Sequence, residues 1–510
     1  MAARLTAEGK KGVVVNASYD AYTPARAYQH YHAGARILSE TASARLASPF
    51  TVDPSELGGG RGFDAAERSW NFPWPWEGGE WGLPHIVDYM DSGVMALLTH
   101  AAENRRYWLE NYHRINERSV AGREEWAGAW VIPAGQENET GLASALRILR
   151  MGDVEVHRAE SSFTAGDRSF PEGSWVIPMA QPWASFAQTL LERQVYPDLR
   201  QYPGGPPRRP YDVTAHTLPL LMDMEAVALD ETPSVQLSEP IPVPDFRFRL
   251  PETLRGEATP RIAIYKSWDE PMEAGWTRWV FDQHGLAYDT LHDARMREGS
   301  LEDDYDVILL QSQDPESIVE GYSEERMPPA WAGGLGEAGS RAVADFVRNG
   351  GRLVAIEEAT DYVIDLLDLG VSNAVERLPP EEFFVPGSIL RLRHEAGSFV
   401  TRRMGSQGVA WYWGSSRAFS VTDPGIRVLA RYGAGNPILS GWILGSDHLA
   451  DQPAILQAEV GRGSVILFGF QPNYRGQTVA TWPLLFNALG PAGSAMGAGG
   501  AGSAGDGESR

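Results

Sequence analysis

From Arg261 onward the chain alternates between two kinds of segment, and this narrows the fold more than any other feature. RIAIY reads as a buried strand, and GWTRWVFDQHG as a helix stopped by Gly285. DDYDVILLQ (303–311) reads as the next strand, GSRAVADFVRNGG (339–351) as a helix with a glycine stop, and RLVAIEEA as the strand after it. Strands that are apolar on both faces and separated by helices must lie in a parallel sheet with helices on both sides. The pattern predicts a doubly wound α/β domain over 259–490. It is completed by a late strand in GSVILFGFQPNYRGQT (463–478) and a final helix in WPLLFNALG (482–490).

At 510 residues the chain exceeds one ordinary domain. A strand-like VVVNASY (13–19) opens a first unit, to about residue 120. A Gly- and Trp-rich loop follows, and then IVDYMDSGVMALLTHAAENRRYWLENYHRINERSV (86–120). Its apolar residues keep helical spacing, so one long helix or a helical pair is expected, amphipathic and packed on the domain. A small α/β unit spans 121–258. Its strands are expected at GAWVIP, VEVHRA and SWVIPMAQ, and its helices at ETGLASALRILRMG and WASFAQTLLERQ. It ends in a Pro-rich stretch (227–258) read as an extended linker with one or two edge strands, FRFRL among them. The tail, 491–510, is low-complexity and expected to be disordered.

A formal net charge of −23 argues against nucleic acid and anionic membrane surfaces as partners. No apolar run approaches the roughly 20 residues of a membrane span, and MAARLTAEGKKG lacks the apolar core of a secretion signal. The compartment is left open. With no cysteine, disulfides, thiolate metal sites and cysteine nucleophiles are excluded together.

Several motifs carry chemistry only in the right context. The glycine clusters ELGGGRG (56–62) and AWAGGLGEAG (330–339) do not open a helix directly after a strand, so they read as turns rather than dinucleotide sites. His157 and Glu160 have zinc-ligand spacing for a helix, but VEVHRAESSF reads as a strand end, where positions i and i+3 face opposite ways. His85 and Asp88 read as helix-start residues. His30 and His32, in YQHYHAGARILSETAS, could share a face, but no third ligand follows them. No metal ligand is assigned in this chain.

The third unit resembles class I glutamine-amidotransferase-like domains, which are flavodoxin-like parallel sheets with a cysteine on the tight turn after a strand such as RLVAIEEA. Here that turn reads AIEEATDY, and neither a cysteine nor a Gly-x-Ser-x-Gly elbow is present. The expectation is a structural or binding domain.

The N-terminal stretch SYDAYTPARAYQHYHAGARILSETASARLASP is similar to the closing part of zinc carboxypeptidases of the carboxypeptidase A type, in their large bacterial multidomain branch. RSWNFPWPW, RSFPEGSWVIPMAQP, PYDVTAHTLPL, EAGWTRW and VILFGFQPNYRGQT extend the resemblance in order over roughly residues 12–490. It implies that Glu40, in ILSETAS, is the general base that activates zinc-bound water. It also implies that Tyr19, 21 residues earlier, contacts substrate, with Tyr22 a second candidate. A carboxylate within reach of a metal-bound water suits peptide hydrolysis, because it takes the proton and passes it to the leaving amine.

The family's zinc ligands, a His-x-x-Glu and a later His, all precede that glutamate, the last by well over the 39 residues present here. Zinc is therefore expected as the cofactor of a full-length member, with its ligands outside this chain. On this reading the chain is the C-terminal portion of a metallocarboxypeptidase that removes C-terminal residues from peptides. It is expected to be inactive alone, either because the sequence is cut or because it pairs with an N-terminal peptidase half. A cut through the peptidase core would expose apolar surface. The family is typically secreted or periplasmic. The rival reading is a non-catalytic protein that binds a peptide or glycan through the amidotransferase-like domain and exposed tryptophans Trp70, Trp74, Trp76 and Trp81.

Overall fold

A computed structural model describes residues 1–16, 24–44, 48–59, 62–256 and 259–491; the side chains of 24–26 are outside the description. Tyr19, Tyr22 and the tail from residue 492 lie outside the described residues.

The largest element is a ten-stranded mixed sheet. In chain order its strands are β1 (Ile262–Tyr265), β2 (Asp289–Leu291), β3 (Val307–Leu310), β4 (Arg352–Ile356), β5 (Ser388–His394), β6 (Gln407–Tyr412), β7 (Arg427–Tyr432), β8 (Ile438–Ser440), β9 (Pro453–Val460) and β10 (Gly463–Phe468). They lie in the order β2-β1-β3-β4-β10-β9-β7-β5-β6, with β8 against β5. Contacts from β2 through β10 are parallel. Those from β10 through β9, β7, β5 and β6 are antiparallel. The expectation of a parallel sheet therefore holds for one half only. The other half reverses through short turns, such as the one between Val460 and Gly463, which need no crossover helix.

The alternation of side chains along the parallel strands divides the core. Ile262, Ile264, Val307, Leu309, Val354, Ile356, Ile466 and Phe468 face one cluster, with Val280, Phe281 and the helix Trp482–Leu489. Ala263, Tyr265, Ile308, Leu310, Leu353, Ala355, Val465 and Leu467 face the other, with Phe346, Val347 and Val363. Both faces are covered by helices, so the central strand positions are apolar, while polar residues stay at the edge strand and the strand starts, as at Asp289, Thr290 and Arg352.

The middle unit is a four-stranded antiparallel sheet of His157–Arg158, Trp175–Pro178, Ala129–Ile132 and Val227–Leu229. Its core is continuous with the first cluster of the large sheet. Residues 194–217 interlock with the large sheet. The Gln194 N–H donates to Ser440 Oγ at 2.9 Å, Gly441 N–H donates back to the Gln194 carbonyl at 2.9 Å, and Thr214 Oγ1 donates to the Gly387 carbonyl at 3.0 Å. The expected FRFRL edge strand is irregular, its Phe248 instead packing against Trp279, His284 and Trp482.

In the first unit, residues 11–16 form no strand; Gly12 and Val15 donate to the carbonyls of Trp74 and Asn71. The expected helical pair is present as α1 (Leu83–Glu103) and α2 (Arg105–Val120), broken at Asn104. It is not packed as an amphipathic pair should be. α1 buries Ser92, Gly93 and Ala96, while Val87, Leu97, Leu98, Tyr107 and Leu109 stay exposed. Among the described residues, no helix is long and apolar enough to cross a membrane.

Candidate functional site

Glu40 lies in an irregular, exposed segment. Its Oε1 accepts a 2.6 Å hydrogen bond from the Tyr211 hydroxyl, across 171 residues of sequence. Tyr211 belongs to PYDVTAHTLPL, so two of the segments that carry the peptidase resemblance meet at this carboxylate. The segment is anchored at both ends. Trp81 Nε1 donates to the Ala42 carbonyl at 3.2 Å, and on the other side Ser185 Oγ donates to the Tyr31 carbonyl at 2.8 Å.

The two histidines before Glu40 do not form a pair. His30 is exposed. The His32 ring has Nδ1 2.9 Å from the Tyr28 carbonyl and Nε2 2.9 Å from the Gly152 carbonyl, and it stacks on Tyr28 at 4.0 Å. With both nitrogens on carbonyl oxygens and Trp183 and Phe186 against the ring, His32 fastens the first unit to the second. His157 has Nδ1 2.7 Å from the Ser238 carbonyl, while Glu160 is exposed. His85 Nδ1 accepts from the Gly82 N–H at 3.1 Å and caps α1, and Asp88 pairs with Lys10. Among the described residues no three His, Asp or Glu side chains come together as a metal-binding group. The described His, Asp and Glu side chains thus offer no ready ligand set for a catalytic zinc.

Of the tryptophans named for the binding reading, Trp81 is buried, Trp74 and Trp76 are half-buried and Trp70 is exposed. Trp81 is buried against Trp76 (5.8 Å between centroids) and Tyr89, and Lys11 lies over Trp74. Trp70, 79% exposed, stands apart from them.

The most unusual chemistry lies in the large sheet, at the carboxyl end of β4. There the chain turns sharply into α3 (Glu358–Leu367), and the turning residue, Glu357, has φ 49° and ψ −118°. A non-glycine residue in this region is strained, and such strain tends to sit at functional positions. The Glu357 side chain is fully buried. Its Oε1 accepts from Ser416 Oγ at 2.6 Å and its Oε2 from Ser415 Oγ at 2.9 Å. Its N–H donates to the Phe468 carbonyl at 2.8 Å, and its carbonyl accepts from the Thr360 N–H at 2.9 Å. Burial pushes the carboxyl up to about 7, against the opposing pull of the two serine hydroxyls. Arg417 is committed to Asp361, which accepts from its Nη2 at 2.8 Å, and so does not neutralise Glu357 directly.

Around this elbow the segments that follow β1, β3 and β10 contribute polar side chains, Thr277 from the helix Met272–His284 among them, as the crevice of an open α/β sheet requires. Thr277 Oγ1 donates to Gln311 Oε1 at 2.9 Å and accepts from Asn473 Nδ2. Arg475 grips Asp212, one bond at 2.9 Å, and Tyr474 stacks on Trp411 at 4.5 Å. Asp212, Thr277 and Arg475 come from PYDVTAHTLPL, EAGWTRW and VILFGFQPNYRGQT, so segments far apart in sequence meet here.

No family model matches the chain, and no curated protein does. Among solved structures it is similar to a cold-adapted β-galactosidase from Rahnella sp. R3, at 16% identity over 44% of this chain and 30% of that one, with a TM-score of 0.28. A ThuA-like protein from Bacteroides uniformis matches at 12% identity over 45% of this chain and 89% of the other, with a TM-score of 0.28. A cytoplasmic protein from Salmonella typhimurium matches at 14% over 45% and 97%, with a TM-score of 0.30. The chain spans about a third of the length of the β-galactosidases it is similar to. Likenesses of this degree say nothing about activity.

Sequence reasoning reached the AIEEATDY turn but not the role of its first glutamate, because without a thiol the elbow read as inert. Ser415 and Ser416 gave no signal at all, since they meet Glu357 only through the fold, 58 and 59 residues away.

Proposed function

We propose that this chain is the C-terminal portion of a zinc-dependent metallocarboxypeptidase that hydrolyses C-terminal residues of peptides, with Glu40 as general base and Tyr19 and Tyr22 as substrate contacts. The third unit is, on this reading, an amidotransferase-like domain without its thiol. The observation that carries the proposal is Glu40 itself: an exposed carboxylate on the ILSETAS segment, held by the hydroxyl of a second family-like segment at Tyr211. The exposed apolar flank of α1 and α2 supports it, because one helical pair gathers many exposed large apolar side chains, Val87, Val94, Leu97, Leu98 and Leu109 among them.

The chain's own residues supply part of such a reaction. Glu40 takes a proton from the attacking water and returns it to the leaving amine, and the Tyr211 hydroxyl orients the carboxylate. With no ready ligand set among the described residues, the proposal places the zinc on an N-terminal half, which is the partner it requires.

The test starts with the genomic frame upstream of Met1. An open frame there with a His-x-x-Glu and a later His is expected, and co-expression of the two parts should give chelator-sensitive release of C-terminal residues from a peptide. Glu40→Gln should then lower kcat by on the order of 10²-fold or more, with KM little changed. Equal activity in Glu40→Gln, or zinc-restorable hydrolysis by the present chain alone, refutes the proposal.

A further inference from the structure

We propose that Ser415 and Glu357 form a serine–carboxylate catalytic dyad at the β4 elbow, a second reaction centre suited to acyl transfer from esters or activated amides. Four observations lead to it. The Ser415 hydroxyl donates to Glu357 Oε2 at 2.9 Å, the nucleophile-to-base geometry such chemistry needs. The other carboxylate oxygen is held by Ser416 Oγ at 2.6 Å, which fixes the plane of the base. Trp413 Nε1 donates to Ser415 Oγ at 2.6 Å and so lies where negative charge on that oxygen would be stabilised. Ser415 is half-buried and follows the exposed Gly414, so a reagent can reach the hydroxyl while the base behind it stays dry.

The usual roles are exchanged between the two loops. An elbow normally presents the nucleophile and a facing loop brings the base; here the strained turn carries the base and the facing Gly414–Arg417 turn carries the nucleophile. The backbone strain at Glu357 then has a purpose, because it aims the carboxylate across the crevice rather than along the sheet.

In the reaction Ser415 Oγ bonds to the substrate's carbonyl carbon while its proton passes to Glu357 Oε2. The bond to the leaving group breaks, and that group departs with the proton from Glu357. Water next attacks the acyl-serine and gives one proton to Glu357. Release of the acid returns that proton to Ser415, so the sum is hydrolysis with no oxidant or metal. Only ionised Glu357 can serve, and burial brings its carboxyl to about 7, near the working pH of a general base. Glu273 opposes its ionisation and Arg417 favours it. The buried hydroxyls of Tyr412, Tyr432 and Tyr474 also lie within its field and stay protonated, held up by burial.

The experiment is reaction of the whole chain with a fluorophosphonate, followed by peptide mass mapping. An adduct is expected at Ser415, with fluoride released and a rate that rises as pH passes through about 7. Ser415→Ala should abolish it, and Glu357→Gln should slow it by on the order of 10²-fold. Should Glu357→Gln fail to fold, as judged by its circular dichroism, Ser416→Ala takes its place. That variant keeps the Ser415–Glu357 bond and is expected to retain the adduct at a reduced rate. No adduct at Ser415, or an adduct formed at the same rate in Glu357→Gln or without pH dependence across this range, overturns the dyad.

Discussion

In the large sheet Ile308, Leu353 and Val465 are fully buried between helices, whereas on α1 and α2 Val87, Leu98 and Leu109 are 58%, 56% and 67% exposed. Both regions are rich in large apolar residues, so composition does not separate them. The difference is what faces them. The central sheet strands have partners on both faces, while α1 packs chiefly on the short helix Ala2–Ala7, where Arg4 Nη1 donates to Thr99 Oγ1 at 3.0 Å. One region has spent its apolar surface on its own stability. The other leaves large apolar side chains in water among the described residues.

Substitutions in the two regions should therefore cost very different amounts. The largest loss is expected at Phe346, fully buried against the outer face of the sheet, where its ring also fills the space beside Gly351. Phe346→Ala should lower the unfolding free energy by about 3–5 kcal/mol, read from urea denaturation. A loss below about 1 kcal/mol would mean that this face is not packed as described.

Next in size is the pH dependence that Glu357 imposes on the same sheet. Its folded pKa, about 7, lies above the ordinary carboxylate value. Between the two values the native chain binds a proton that the unfolded chain has lost, so the stability this group contributes is full at low pH and falls as pH rises through about 7. The swing is roughly 3 kcal/mol. In Glu357→Gln the fall between pH 5 and pH 8 should largely vanish, whatever the absolute cost of the substitution. An unchanged slope would show that the carboxylate is ionised in the native state.

Third is the seam between the first and second units. His32→Ala removes a stacked ring and two polar contacts to carbonyl oxygens, and should cost on the order of 1 kcal/mol. Zinc uptake by the chain should not change, and a fall in zinc stoichiometry would restore the metal reading of that histidine.

Much of the large sheet was legible because its determinants are local and repetitive. Gly285 adopts φ 68° and stops its helix where the glycine stop was expected, and β1, β3 and β4 fall within the apolar runs that announced them. The antiparallel half was not legible: β5 alternates Leu390, Arg391, Leu392 and Arg393, which announces a strand but not its direction, and β9 is buried along residues 453–458 like the parallel strands. The site was legible at Glu40 only through resemblance; from pattern it is one carboxylate in an irregular stretch. Glu357 shows the opposite failure. Its place in the turn was readable, but its burial and its two serine partners are products of tertiary structure.

The smallest expected effect tests the comparison from its other side. Replacing Leu98 or Leu109 by Ser on the exposed flank removes apolar area that is already largely in water, so each should change stability by no more than about 0.5 kcal/mol. The same changes should reduce self-association, because removing contiguous exposed apolar surface removes the drive to cover it. Light scattering against concentration reads this directly. If the substitutions instead cost 2 kcal/mol or more each, the flank is already packed within this chain and the case for an absent body fails. If they are neutral to folding yet block assembly with a zinc-bearing half, the exposed helices are the seat of that half, and the contrast between the two regions becomes the contrast between a finished core and half of one.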